Sequence, residues 1–278
     1  MLLRLRRLVR ATSLWVVVVG LLVFTSSGVA SATPAHNSNT LGLVGAWEFT
    51  GDANDVSGNG NDGVVHGATL TTDRFGNPNS AYSFDGNDDY IRVGSQFAGQ
   101  SEYTQAAWVS LGELDGQDPV HIILNTPSGA IKYQHADRTL RITPTEDRQG
   151  GITSNPHTDF PHLYDLDIAD GTWFHVAVAV FSDNTANLFV DGYQVNWDSQ
   201  GVDGGGTGDY PVTVIGAGER SNYAPYIVGD FSGEIDDLYI YDRALSASEV
   251  LTLATVPEPN TALLLGVGLA GLAMRRRR

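Results

Sequence analysis

The sequence predicts an all-β protein, an antiparallel sandwich of two sheets. Three observations predict it. Between about Leu41 and Ala254, short runs alternate apolar with polar residues: AYSFDG, DYIRVG, YTQAAWVSL, TWFHVAVAVF, ANLFVDGYQV, TVIGAG and GEIDDLYIYD. Period two is the signature of a half-buried strand. Gly, Asn and Asp punctuate the runs, and glycine is abundant, 32 of 278 residues. No stretch of this body keeps a 3.6-residue period until its end. Strands so spaced imply a sandwich rather than alternating βαβ units.

The chain opens with Arg4, Arg6, Arg7 and Arg10, then LWVVVVGLLVF from Leu14 to Phe24, then small residues ending Ala30-Ser31-Ala32. Basic, apolar and small-x-small segments in that order read as a signal helix removed after Ala32. The apolar core is too short to span a bilayer comfortably. Residues 1–32 are therefore expected to be the signal peptide, 33–42 a linker, and 43–255 the folded domain. Of the 16 basic residues, four sit in this opening and four more are Arg275 to Arg278, while all 32 acidic residues lie between. Eight basic residues against 32 acidic ones repel phosphate backbones, so nucleic acid is not an expected partner. Divalent cations suit such a body better. Without cysteine there are no disulfides and no thiolate zinc site.

Within the body, Asp191-Gly192 between NLFV and YQV is a two-residue hairpin turn. ALSASEVLTL, Ala244 to Leu253, is the one expected helix, with Ser246 as N-cap and Glu249 closing a capping box. No repeat of 20–50 residues is present.

Taken in order, GAWEF, DVSGNGNDG, AYSFDGNDDYIRV, YTQAAWV, GTWFHVAVAV with NLFVDG, and FSGEIDDLYIYDRALSASEV resemble LamG-like jelly-roll domains of the concanavalin A-like lectin/glucanase group. The resemblance covers about residues 43–253. It implies two curved antiparallel sheets packed face to face, and no particular reaction, because the fold hosts lectins, adhesion modules and glycosidases alike. Laminarinase-type glucanases of this fold carry E-x-D-x-x-E on one strand. Here the run is Glu234-Ile235-Asp236-Asp237-Leu238-Tyr239, so Tyr239 stands at the acid/base position. Strict alternation puts Glu234 and Asp236 on one face about 7 Å apart, with Leu238 next on that face. Retaining hydrolysis needs two carboxyls about 5–5.5 Å apart, and about 7 Å is loosely within the inverting range, but the resemblance makes Asp236 a structural position. A catalytic set is therefore not expected.

Oxygen donors are the better chemistry. Asp55-Val56-Ser57-Gly58-Asn59-Gly60 begins like an EF-hand loop, but His66 occupies position twelve, where a bidentate Glu is needed. The resemblance implies a structural Ca2+ held by Asp55, Asn59 and Asn61 with Asp236; a Gly/Asn turn without an ion is the alternative. DGNDDY, Asp85 to Tyr90, reads as a solvated acidic hairpin. His157 and His162 lie in a Pro-rich loop, and His175 shares a strand face with Trp173 and Ala177, as a packing residue. Trp47, Trp108 and Trp173 are expected in the core. Trp197 precedes the Gly-rich DSQGVDGGGTGDY; an exposed indole there could stack on a sugar ring, with Tyr133, His135 and Tyr210 on the same edge.

The chain closes with Pro257-Glu258-Pro259, an apolar run from Thr261 to Met274, and four arginines. As a helix the run is about 21 Å long, short of a ~30 Å hydrocarbon core. Its GVGLAG matches G-x-G-x-x-G without a preceding strand, so it is no dinucleotide site. The three parts in order resemble the PEP-CTERM sorting signal of Gram-negative bacteria. That resemblance implies export to the cell envelope, outer surface or extracellular matrix, transient membrane contact through residues 256–278, and processing by an exosortase-type enzyme near Pro257–Pro259. The expected function is a non-catalytic glycan-binding or adhesion module, with a polysaccharide or glycoconjugate as partner. A polysaccharide-active glycoside hydrolase and a purely structural matrix protein are the alternatives.

Overall fold

Alternation separates the two faces of each strand, and the strands pair so that one face of each sheet is buried against the other. The computed structural model describes residues 41–94, 100–112, 120–127, 129–134, 139–143, 152–153, 171–183, 185–195, 213–220, 226–228 and 231–255. Ala32, Pro257, Glu258, Pro259, His135, Trp197, Tyr210, His157 and His162 lie outside them, as does the signal helix. The strands are β1 (Leu43–Trp47), β2 (Val64–His66), β3 (Thr69–Thr71), β4 (Ala81–Asp85), β5 (Tyr90–Val93), β6 (Tyr103–Leu111), β7 (Val120–Thr126), β8 (Gly129–Gln134), β9 (Thr139–Thr143), β10 (Ile152–Thr153), β11 (Trp173–Val180), β12 (Ala186–Val190), β13 (Tyr193–Gln194), β14 (Thr213–Ile215), β15 (Gly218–Arg220), β16 (Tyr226–Val228) and β17 (Ser232–Tyr241); the helix is α1 (Ala247–Thr255).

The first sheet runs β13-β12-β11-β6-β17-β4-β3, with β1 paired to the second half of β17. The second runs β10-β9-β8-β7-β14-β5-β2, and β15 and β16 form a separate ribbon. The ladders of both large sheets are antiparallel. This is the expected sandwich. β4 and β5 belong to different sheets, so DGNDDY is not a hairpin. It is the turn by which the chain crosses between layers.

The inner faces meet in one core. Val109, Leu111, Phe174, Val176, Leu188, Ile235, Leu238 and Ile240 come from the first sheet, and Ile91, Ile123, Leu124, Ile131, Tyr133 and Ile215 from the second. Trp47 is fully buried and its Nε1 donates to the Asn61 carbonyl at 3.0 Å. That bond satisfies the indole's only polar atom. A second apolar layer lies outside the first sheet. Ala46, Ala106, Ala177, Phe189, Tyr239 and Tyr241 pack with Leu245, Val250 and Leu253. Helix α1 thus covers one end of the outer face of the first sheet.

Two local features fix this arrangement. The hairpin turn has Asp191 at φ 50° and Gly192 at φ 81°, the left-handed pair of a type I′ turn. A Cβ on Gly192 would also stand 2.8 Å from Leu251 of the helix. Helix α1 starts as its sequence requires: Ser246 N–H donates to Glu249 Oε2 at 2.8 Å and Glu249 N–H donates to Ser246 Oγ at 3.4 Å, the reciprocal capping box. Glu249 also accepts from Arg243 Nη2 at 2.7 Å.

Candidate functional site

The end of that outer face beyond the helix carries polar and aromatic residues. Their placement follows from register. Glu234 of β17 lies between Ser83 of β4 and Ser110 of β6, and Ser110 in turn faces Trp173 of β11. One row further along, Asp236 faces Trp108, and Trp108 faces His175. Directly opposed residues on one face are about 4.5–5.5 Å apart at Cβ. Trp108 and Trp173 are diagonal neighbours on this surface. Both are half-buried, not core residues as their strand patterns suggest. His175 is buried, with its ring edge-to-face on Trp108 at 5.6 Å. That is the cross-strand packing expected of it.

A β-bulge shapes the centre of the site. The β17–β6 register shifts between Asp236 and Tyr239, and Asp237 has φ 45°. The extra residue turns Leu238 into the core and returns Tyr239 to the outer face, opposite Ala106. Strict alternation would have placed Leu238 outward. Glu234, Asp236 and Tyr239 therefore share a face despite the uneven spacing, and the third position carries a phenol. Burial pushes that phenol well above its ordinary range, helped by the charge of Asp237.

Arg74 occupies the space beside the bulge. Its Nη1 contacts Asp236 Oδ2 at 2.5 Å and its Nη2 contacts Asp237 Oδ2 at 2.7 Å. The guanidinium lies 4.6 Å from the Trp108 ring and 4.3 Å from Phe75, a cation–π sandwich. The turn that presents it is built by Asp73, which accepts from the N–H groups of Phe75 and Asn77 and from Asn77 Nδ2, each at 2.8 Å. Burial first, then Asp237, push the Asp236 carboxyl upward, against the pull of Arg74. Nothing in the local sequence around Arg74 reports a partner 162 positions away; it is one of eight basic residues in the acidic body and carries no mark of its own.

Several buried polar atoms of this cluster lack partners: Trp108 Nε1, Arg74 Nε and both ring nitrogens of His175. Glu234 has no hydrogen-bond or ion-pair partner among the described residues. The surface of the site thus offers the Trp173 indole, the exposed part of Trp108 and an unpaired carboxylate, above several buried hydrogen-bonding atoms without partners.

The expected calcium set does not assemble. Asp55 accepts three backbone N–H groups, from Ala46 at 3.0 Å and from Ser57 and Asn61 at 2.9 Å. Asn59 and Asn61 turn their amide nitrogens to the carbonyls of Leu43 and Val44. These bonds lace the loop to β1 as a self-contained turn, and Asn61 Oδ1 is its one buried oxygen without a partner. Asp236 is held by Arg74 instead. A carboxylate neutralised by a guanidinium and another already crowded by amides do not fit one calcium ion. Tyr133 is also corrected: it is 1% exposed and packs in the core, because its strand turns that face inward, so it cannot line a loop edge.

Residues 85–251 match the family model of the concanavalin A-like lectin/glucanases superfamily. The chain belongs to this superfamily. Residues 255–278 match the PEP-CTERM protein-sorting motif, which implies an exported protein. No curated protein matches the chain. Among solved structures, it is similar to the binding domain of Paraclostridial Mosquitocidal Protein 1, at 18% identity and TM-score 0.57, covering 77% of this chain and 52% of that one. It is similar to domain 4 of AbnA, a GH43 extracellular arabinanase from Geobacillus stearothermophilus, in complex with arabinotriose, at 17% identity and TM-score 0.52, covering 77% and 98%. The ligand binding domain of botulinum neurotoxin serotype D in complex with N-acetylneuraminic acid matches at 14% identity and TM-score 0.56, covering 77% and 50%. The chain spans about half the length of the toxin domains it matches. At these identities the likeness is one of fold.

Proposed function

We propose that this protein is an exported, non-catalytic glycan-binding or adhesion module of the cell surface or extracellular matrix, and that it binds through the outer face of its first sheet. The observation that carries the reading is the pairing of half-buried Trp108 and Trp173 on one sheet face beside Glu234 and the Arg74 cluster. Indoles flanked by fixed polar groups are how proteins seat a sugar ring. The arabinanase domain and the neurotoxin domain, whose structures hold arabinotriose and N-acetylneuraminic acid, support a sugar as the class of ligand. The non-catalytic reading is supported by Tyr239, a buried phenol where glycoside cleavage needs a protonatable carboxyl, and by Asp236, which is bound to Arg74. The sorting motif supports release from the membrane by an exosortase-type enzyme acting near Pro257–Pro259. Glycan-array binding of residues 33–256, with and without Trp173→Ala, tests the reading. Retention of glycans by the wild type and loss with the variant is expected. Binding unchanged by Trp173→Ala removes this face as the site, and release of reducing ends by the wild type removes the non-catalytic assignment.

A further inference from the structure

We infer that this face selects glycans bearing free, protonated amines, of the deacetylated hexosamine class, over neutral and uronate-bearing ones. The inference rests on the glycan-binding reading above and adds the chemistry of the sugar. Uronates are disfavoured by charge. The cluster sets Glu234, Asp236 and Asp237 against one cation, Arg74, whose side chain is 7% exposed and whose two terminal nitrogens are both committed to those aspartates. Among the described residues no other cation belongs to this cluster. A ligand carboxylate would therefore meet unpaired negative charge, and like charge brought together without a partner is costly.

An ammonium meets the opposite situation. Glu234 is half-buried and without a partner among the described residues. The small Ser110 separates it from Trp173 across two strand spacings, about 9–10 Å. Ser110 is buried between its larger neighbours, so a pyranose lying on Trp173 would extend above it toward Glu234. The indole face itself attracts a cation, and Trp108 already takes a guanidinium in this way. A protonated amine on that ring would gain a charge-assisted hydrogen bond to Glu234, which an acetamide cannot replace. The unmet atoms of His175, Trp108 and Arg74 lie buried beneath this face, so the direct polar contact to a ligand falls to Glu234. The excess of acidic over basic residues across the body steers polycations toward it.

The test is calorimetric titration of the domain with a glucosamine hexamer, its fully N-acetylated counterpart, cellohexaose and an oligogalacturonate at one pH and moderate salt. The glucosamine hexamer is expected to bind about tenfold tighter than the acetylated one, the size of one charge-assisted hydrogen bond, and the oligogalacturonate not to bind. Glu234→Gln should erase the preference while leaving the weaker binding of the neutral oligomers. Asp88→Asn, which removes an exposed acid elsewhere, should leave the preference intact. Equal binding of the amine and acetylated oligomers, or equal loss with Glu234→Gln and Asp88→Asn, overturns amine selection and leaves the glycan reading standing. If none of the four oligomers binds, or if Trp173→Ala changes nothing, the glycan reading at this face fails first.

Discussion

His175 provides a direct measure of how closed the floor of this face is. Its side chain is fully buried, both ring nitrogens lack partners, and burial, reinforced by the charge of Arg74, lowers its pKa from 6.5 to about 3. The folded state therefore refuses a proton that the unfolded state accepts. The sign follows: the native protein loses stability as pH falls below 6.5, and continues to lose it until about pH 3. At pH 5 the penalty is about 2 kcal/mol, and at pH 7.5 it is close to zero. His175→Phe removes the titrating group, keeps an aromatic edge against Trp108 and breaks no hydrogen bond. Urea unfolding of both proteins at pH 7.5 and pH 5 is the assay. The carboxylates titrate alike in the two proteins and cancel in the difference, so the variant should gain about 2 kcal/mol over the wild type on going to pH 5. Parallel pH profiles would refute the reasoning, because they would mean that His175 protonates as freely in the fold as outside it.

Three other outcomes are expected. Arg74→Leu should destabilise the domain by about 3–5 kcal/mol in the same assay, since it strands two carboxylates at the bulge, and adding Asp236→Asn should recover part of the loss. Ser246→Ala should cost about 1 kcal/mol through the capping box; Arg243 and the cap lower Glu249 to about 2, so that contribution is present above about pH 4.5 and fades as the pH drops toward 2, which acid unfolding of Glu249→Gln beside the wild type will show. Melting curves in calcium and in EDTA should superimpose, because Asp55 and Asp236 are bound to protein groups; a drop of several degrees in EDTA would restore the ion.

The layers were legible because burial and alternation are local. AYSFD, YTQAAWVSL and SGEIDDLYIY announce strands, Asp191-Gly192 announces its turn, and Ser246 with Glu249 announces the helix start, since each depends only on neighbours in the chain. The site was less legible because period two says which residues share a face and not what covers that face. Ala106 and Trp108 point the same way on β6, yet helix α1 and its flanking residues close over Ala106 and leave Trp108 half-buried. Both tryptophans of the site were therefore read as core. The bulge at Asp237 resisted reading for a related reason. An Asp-Asp pair inside a strand looks like an error in the alternation, and its meaning is supplied by Arg74, which grips both carboxylates from a turn far back in the sequence. The same bulge moves Tyr239 under the helix side of the face, where Leu245, Val250 and Leu253 pack with it. A carboxylate placed there would have to be buried among apolar side chains, at a cost that burial of an unpaired charge always carries. The packing that closes half of this face thus leaves no place for a charged carboxylate at position 239, while Trp108, Trp173 and Glu234 of the other half stay partly exposed.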